Sequence, residues 1–380
     1  MNICVLGWYG TETLGDRSIL LGLSLIFEKT FGKCKLYLGS IYPFFSKRCY
    51  IEDENFYKIV APEVDIEIFS VTERIELESA IQKCSLVVMG GGPIMDLYEL
   101  GIIEYGVGYA KRNGKKTALL GCGIGPLFQK KFRKISAHLI NIADTVVLRD
   151  RLSKEIAELL LSEYRFSARI INVLFDPAII PILYFKMASH LKKRGVLAIN
   201  LREFPICCNK NGETIDDSMF ISLLKYAAIS FDKVKLIPQH TFFVGGDDRY
   251  YMSLIAQRTA VRGVEVVHNP LSLYKLFEEY YSADCCIGMR YHSVLFQTVL
   301  NGKNGILDYT EPNIGKISGF LDVFNLVSAY EKRYVNIQET IPDPEALISD
   351  LRDHSATHID DSIITDTVKG YDRILSELII

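Results

Sequence analysis

Arginine and histidine two residues apart, in Gly288-Met289-Arg290-Tyr291-His292-Ser293, make this the segment of the chain best able to do chemistry. The apolar run 283–287 ahead of it reads as a buried strand, Gly288 lets the backbone turn, and an apolar helix follows over 294–300. In an open α/β sheet, ligands bind outside the carboxyl ends of the strands. Arg290 supplies a permanent cation there, and His292 an imidazole, the side chain that exchanges protons near neutral pH. Both sit at a helix start, whose unpaired N–H groups already favour an anion. The combination suits chemistry on a phosphate or a carboxylate. A plainer reading pairs Arg290 with a nearby carboxylate and lets His292 cap or pack; the motif alone leaves both open.

The elements that must position these residues alternate from end to end. Strands are expected over residues 2–6, 35–38, 86–89, 117–121, 145–148 and 170–173, and helices over 16–30, 98–112, 132–142 and 152–161. After a proline-containing exit at 176–181 and a basic turn at 192–195, strands recur at 196–201, 233–238, 264–268, 284–287 and 304–307. The helices between them are expected over 217–231, 248–260, 271–282 and 292–301. Such alternation is the signature of parallel sheets with crossover helices. The 380 residues suit two domains of ordinary size. The expected architecture is α/β: two Rossmann-like, doubly wound parallel-sheet domains, 1–185 and 186–340, facing a cleft. It resembles the GT-B architecture of many glycosyltransferases, with a helical tail, 341–380, packed back on the N-terminal domain.

Composition narrows the class. A formal net charge of −3 calls for no nucleic-acid partner. The nine cysteines sit mostly in apolar, strand-like segments, without CxxC pairs or a metal-ligand spacing to histidine. They read as small core residues in a reducing compartment. Residues 1–7 read as a first strand entering a glycine turn rather than as a signal peptide. No apolar run reaches the length that spans a bilayer. A cytoplasmic protein is expected, as a monomer or a homo-oligomer.

Three glycine-rich turns follow strands in the first half: residues 7–16, with Gly7, Gly10 and Gly15; Gly90-Gly91-Gly92 with Asp96; and Gly121 to Gly125. Glycines allow close backbone approach to a ligand, and successive N–H groups can form a nest for an anion or a polar sugar. None matches the GxGxxG dinucleotide fingerprint or a GxxxxGK[ST] phosphate loop. Asp16 equally reads as the cap of the helix that follows. In the second half, Arg202 follows strand 196–201, His240 ends the next strand, Asp247-Asp248 open a helix that Asp248 is expected to cap, and Lys316 follows the last strand. Arg202 and Lys316 are further candidate anion contacts, although an exposed lysine also reads as solvated surface.

In order along the chain, the turn 7–16, Gly90-Gly91-Gly92 with Asp96, Gly123-Ile124-Gly125-Pro126, Arg149-Asp150 before Ser153, Asp176-Pro177-Ala178 and the Arg290-x-His292 segment resemble the polysaccharide pyruvyl transferase family. Two departures stand out. The family's first turn carries Asn-x-Gly-Asp-Glu, whereas this chain has Thr13-Leu14-Gly15-Asp16-Arg17, and the family's leucine between Arg and His is Tyr291. The resemblance implies a bacterial exopolysaccharide or capsule enzyme that draws on phosphoenolpyruvate as co-substrate, needs no further cofactor or metal, and releases phosphate. Two hydroxyls of a sugar become bridged by a cyclic pyruvate ketal. Arg290, Arg202 and Lys316, with Gly288 and Ser293, would hold the donor, because arginine's planar fork suits both its phosphate and its carboxylate. His292 would supply the acid. Gly10, Asp16, Gly91, Gly92 and Asp96 would lie on the acceptor side, with Asp16 or Asp96 as the base.

The same resemblance implies an acceptor sugar carried on a nucleotide or on a polyprenyl diphosphate lipid. Two basic stretches, 111–116 and 130–134, read as solvated helix ends, or as a peripheral contact with the inner membrane, with Phe128 and Phe132 flanking the second. Two rival readings are a GT-B glycosyltransferase, with Glu311 or Asp308 holding a nucleotide's ribose, and a non-catalytic protein of glycan assembly.

Overall fold

The structure, a computed structural model, describes residues 1–11, 13–189, 191–204, 217–312 and 315–379. Glu12 of the first glycine turn, Cys207 and Cys208 lie outside that set. The chain divides into two compact units, Met1–Tyr184 with Asp361–Ile380, and Phe185–Asp360.

The first unit alternates strictly: β1 (Asn2–Leu6), α1 (Leu14–Phe31), β2 (Cys34–Ser40), α2 (Pro43–Val60), β3 (Val64–Ser70), α3 (Arg74–Gln82) and β4 (Leu86–Met89). It continues with α4 (Leu100–Arg112), β5 (Lys116–Cys122), α5 (Lys130–Ile142), β6 (Thr145–Leu148), α6 (Arg151–Glu163), β7 (Asn172–Val173) and α7 (Ile180–Ala188), which carries the chain into the second unit. The second unit comprises β8 (Val196–Ile199), α8 (Ser218–Ser230), β9 (Lys233–Leu236), α9 (Asp248–Thr259), β10 (Val264–Val266), α10 (Leu273–Ser282) and β11 (Cys285–Gly288). It ends with α11 (Tyr291–Leu300), β12 (Asn304–Asp308), α12 (Lys316–Val323), β13 (Tyr334–Asn336) and α13 (Pro344–Asp353). The last helix, α14 (Asp361–Ile379), returns to the first unit.

The sheets run β3-β2-β1-β4-β5-β6-β7 and β10-β9-β8-β11-β12-β13, with every pairing parallel. Both orders reverse direction after their first strand, between β1 and β4 and between β8 and β11. At such a switch point the connections leave on opposite faces and open a crevice at the carboxyl edge. Helices cover both faces, so the central strands read as continuous apolar runs: β4 and β11 are buried at every residue. The sequence reading missed β3, whose alternating charged residues mark an exposed edge, and β13, three residues long. It also missed α2, α3 and α12. The 341–380 segment, expected as one tail, divides: α13 packs against α8, and α14 against α1. The seven described cysteines are free and buried. Among the described residues, no helix is long and apolar enough to cross a membrane.

Helix α1 is buried from Ser18 through Phe27 and is the pivot of the first unit. Gly22 lets it touch the turn at Pro177: a Cβ there would lie 2.1 Å from the Pro177 carbonyl oxygen. Four residues earlier, Ser18 Oγ donates to the Ala178 carbonyl at 2.8 Å. In an exposed helix interior, Gly to Ala stabilises by up to about 1 kcal/mol. Here the clash is with backbone, which cannot swing aside. Gly22→Ala should instead lower unfolding stability by about 1–3 kcal/mol in chemical denaturation; a gain would show that α1 has room to shift.

Candidate functional site

Arg202, two residues beyond Asn200 at the end of β8, and Arg290, two beyond the end of β11, flank the switch point of the second sheet. Buried Asn200 ties the strand ends together. Its Nδ2 donates to the Ile237 carbonyl at 3.0 Å, and its Oδ1 accepts from the Arg290 backbone N–H at 3.1 Å. Gly288 and Ser293, expected beside the donor, hold the β11–α11 turn. Ser293 Oγ is fully buried, accepts from Gln297 Nε2 at 2.9 Å and lies 3.2 Å from the Tyr280 hydroxyl. A Cβ at Gly288 would come within 2.7 Å of Gln297 Oε1.

Asp248 does not cap α9, as the sequence suggested. Asp247 does, accepting from the Arg249 N–H, which frees the next side chain to turn inward. Asp248 is buried and accepts the Gln239 and His240 backbone N–H groups at 3.0 and 3.1 Å. It also takes Arg290 in a fork, Nε at 2.9 Å from both carboxylate oxygens and Nη2 at 2.5 Å from Oδ1. The carboxylate-paired reading of Arg290 is the observed one. Burial is the largest single influence and would lower the arginine's pKa, but the charge and hydrogen bonds of Asp248, with Tyr309, together raise it. Arg290 is thus a cation fixed in place at the carboxyl edge.

The second cationic group lies beside it. Tyr309, buried just beyond β12, accepts a hydrogen bond from Arg202 Nη1 at 3.1 Å, with the guanidinium 4.8 Å from its ring centroid. Lys316, first residue of α12, places Nζ 5.4 Å from the same ring. Burial pushes the Tyr309 phenol up, but Lys316, Arg202 and Arg290 together bring it down to about 8. All three cations singled out in the sequence therefore converge on one phenol. Tyr309 carried no sequence signal beyond its place after a strand.

Two histidines border this edge. Burial, and then the charge of Arg290, push the His240 imidazole down to about 4. It is neutral at physiological pH, its Nε2–H donating to the Val244 carbonyl at 2.6 Å. Its Nδ1 has no hydrogen-bond partner among the described residues. His292 is partly exposed in the first turn of α11, stacked on buried Phe296 with ring centroids 6.0 Å apart. Asp308 is committed to Thr310 and Tyr334, which leaves it poorly disposed to hold a ribose.

In the first unit, Asp16 is not the cap of α1 either. Thr13 is, accepting from the Asp16 N–H at 3.2 Å, while its own hydroxyl donates to the Asp16 carboxylate. This cap starts the helix two residues earlier than expected. Arg17, at the family's glutamate position, is neutralised by α2: Nε lies 2.7 Å from Asp53 and Nη1 3.2 Å from Glu52. The glycine turns are used for packing. Gly91 and Gly92 have φ of 126° and 71°, and a Cβ on them would strike the Tyr9 and Trp8 rings. A Cβ on Gly92 would also lie 3.0 Å from Asp16 Oδ1, so the β1 and β4 turns meet at this carboxylate. Gly10 lies against Ser40 and the Tyr42 backbone. Asp96 holds the entrance to α5, its Oδ2 accepting from the Phe128 and Gln129 N–H groups at 2.9 Å each. Arg149 bridges Asp150 and Asp176 in the interior at 3.5 and 3.3 Å, under Gly123, locking three further turns. Among the described residues, no group of three or more His, Cys, Asp or Glu is placed to hold a metal ion.

Because its folded-state pKa lies below the ordinary tyrosine value, the Tyr309 phenolate contributes stability that is present above about pH 10 and lost as pH falls through about 8. The stability gap between wild type and Tyr309→Phe should widen across that interval. Near-ultraviolet absorbance should show one phenolate forming at about pH 8, absent from the variant. A wild-type titration with no early phenolate would contradict the cation cluster.

The family model of polysaccharide pyruvyl transferases matches residues 14–301, from the first turn of α1 to the end of α11. A comparison with curated proteins finds no match. Among solved structures, UDP-GlcNAc 2-epimerase from Methanocaldococcus jannaschii is similar at a TM-score of 0.60 and 13% identity, over 100% of this chain and 99% of that one. UDP-GlcNAc 2-epimerase from Neisseria meningitidis bound to UDP-GlcNAc gives 0.51 at 12% identity, over 97% and 100%. HepE from Anabaena in complex with UDP-glucose gives 0.52 at 10% identity, over 99% and 100%. At such identities the likeness shows the fold, paired Rossmann-like units of the GT-B type. The ordered motifs, the two switch-point sheets and the family match agree, and this chain belongs to the polysaccharide pyruvyl transferase family.

Proposed function

We propose that the protein transfers the carboxyvinyl-derived group of phosphoenolpyruvate onto two hydroxyls of a glycan sugar, forming a cyclic pyruvate ketal and free phosphate. The observation that carries this reading is the gathering of Arg202 and Lys316 on Tyr309, which also feels the charge of Arg290. A donor with both a phosphate and a carboxylate needs more than one cation, and charge-assisted contacts to each fix its orientation. In the proposal, His292 delivers a proton to the methylene carbon, and the central carbon becomes open to a sugar hydroxyl. Phosphate then leaves with the C–O bond electrons, and the second hydroxyl closes the ketal. The two hydroxyl protons balance the new methyl group and the protonated phosphate. Arginines and helix N–H groups stabilise the charge that gathers on phosphate. Asp16, where the β1 and β4 turns meet, is the proposed base, with Gly10, Gly91, Gly92 and Asp96 around the acceptor. The acceptor is a surface-glycan sugar or its lipid-linked precursor, and the reaction takes place in the cytoplasm.

Supporting the division of labour, His240 is held neutral by burial, whereas His292 is only half-buried in the first turn of α11. Removing Arg290 would strand buried Asp248 and cost about 3–5 kcal/mol of stability, so binding tests belong on Arg202 and Lys316. In calorimetry, Arg202→Ala and Lys316→Ala should each weaken phosphoenolpyruvate binding by roughly tenfold or more, the loss of one charge-assisted contact. His292→Asn should bind the donor nearly as wild type and release no phosphate. Saturable UDP or GDP binding without phosphoenolpyruvate binding would favour a nucleotide-sugar glycosyltransferase. Unchanged glycan output from a His292→Asn strain would favour a non-catalytic role.

A further inference from the structure

Four aromatic rings gather on the first unit around a groove of about 640 Å³ lined by residues following β2, β3 and β4. Tyr42, Phe44, Phe45 and Tyr98 line it with Ile41 and Ile102. The rings are presented outward, Phe44 75% and Tyr98 78% exposed, and Phe128 a short way along is 57% exposed. Burying none of these rings on folding is costly unless something else covers them, and such a contiguous patch marks an interaction surface.

What covers it is indicated by charge. Helix α5 starts beside the groove: Lys131 Nζ sits 5.1 Å from the Tyr98 ring centroid, and Phe132 meets Tyr98 edge to face at 5.7 Å between centroids. Lys130, Lys131 and Lys134 are exposed, and none has an ion pair among the described residues. Lys47 is exposed next to the groove on α2, and Glu99 is the acid among the lining residues. In a chain of net charge −3, this is a local excess of cations interleaved with aromatic rings. The other basic stretch is arranged differently. It closes α4 at the opposite edge of the sheet, with Lys111 paired to Asp144 and Lys115 bound to the Gln82 carbonyl. Of the two stretches read in the sequence, only 130–134 faces outward beside exposed rings.

We propose that this face docks on an anionic lipid bilayer, the rings entering the headgroup boundary and the lysines meeting lipid phosphates. Aromatic side chains favour that boundary, and basic residues next to it add an electrostatic attraction that salt screens. The proposal goes beyond the pyruvyl-transfer reading and does not depend on it.

Sedimentation of the full-length protein with phosphatidylglycerol/phosphatidylcholine vesicles tests it, beside vesicles of phosphatidylcholine alone. Binding is expected to the anionic vesicles and to fall as salt rises. Exchanging Lys130 and Lys131 together for Gln should weaken it about 25-fold, from roughly fivefold per lysine. Phe44→Ser with Phe128→Ser should weaken it by at least about tenfold. Circular dichroism confirms that the variants fold, since both rings are largely outside the core. Equal affinity for both vesicle types, or binding unchanged in both sets of variants, would overturn the proposal. So would a concentration-dependent dimer that Phe44→Ser dissolves, because a second copy would then be the occupant.

Discussion

The second unit turns on one ion pair, Asp248 with Arg290. A carboxylate this deep in the protein is tolerable only when its lone pairs are occupied, and two backbone N–H groups and a forked guanidinium occupy them. The pair joins the end of β9 and the start of α9 to the N-cap of α11, 42 positions further on. It also sets the electrostatics of the edge, holding a permanent positive charge where His240 feels it as repulsion and Tyr309 as attraction. Arg290 is better understood as an immovable part of the site's framework than as a mobile anion clamp.

Arg202 and Lys316 meet at Tyr309. An unoccupied cluster of cations repels itself and would drift apart in solvent. A buried phenol that accepts from one cation and stacks beneath the other keeps them close with little charge of its own at neutral pH. When the phenol ionises it offsets one of the positive charges around it from within.

In the first unit the glycine turns solve a packing problem. Trp8 and Tyr9 lie over the β4 turn, and glycines at 91 and 92 make room for their rings while bringing that turn against Asp16. Arg149, between Asp150 and Asp176, does for the turns beyond β5, β6 and β7 what Asp248 does for the second unit. In both sheets a buried ion pair converts separate β–α turns into one rigid edge.

From residue order alone, the alternation of apolar runs with amphipathic stretches determined the two parallel sheets, since period-2 and period-3.6 patterns are local properties of the chain. The Arg290-x-His292 segment and its position after a buried strand were likewise legible, as were Arg202 and Lys316 as candidate cations. Short or polar elements such as β3 and β13 were not, because their partners, rather than their own residues, make them strands. Nor could the sequence show that Thr13 and Asp247 take the capping positions first assigned to Asp16 and Asp248, one step of a turn deciding which side chain faces inward. That Asp248 pairs with Arg290, 42 positions away, and that three cations share Tyr309, was decided only in three dimensions. Strand order brings those loops to one edge, and burial, which no local pattern encodes, sets the strength and sign of the charges they feel.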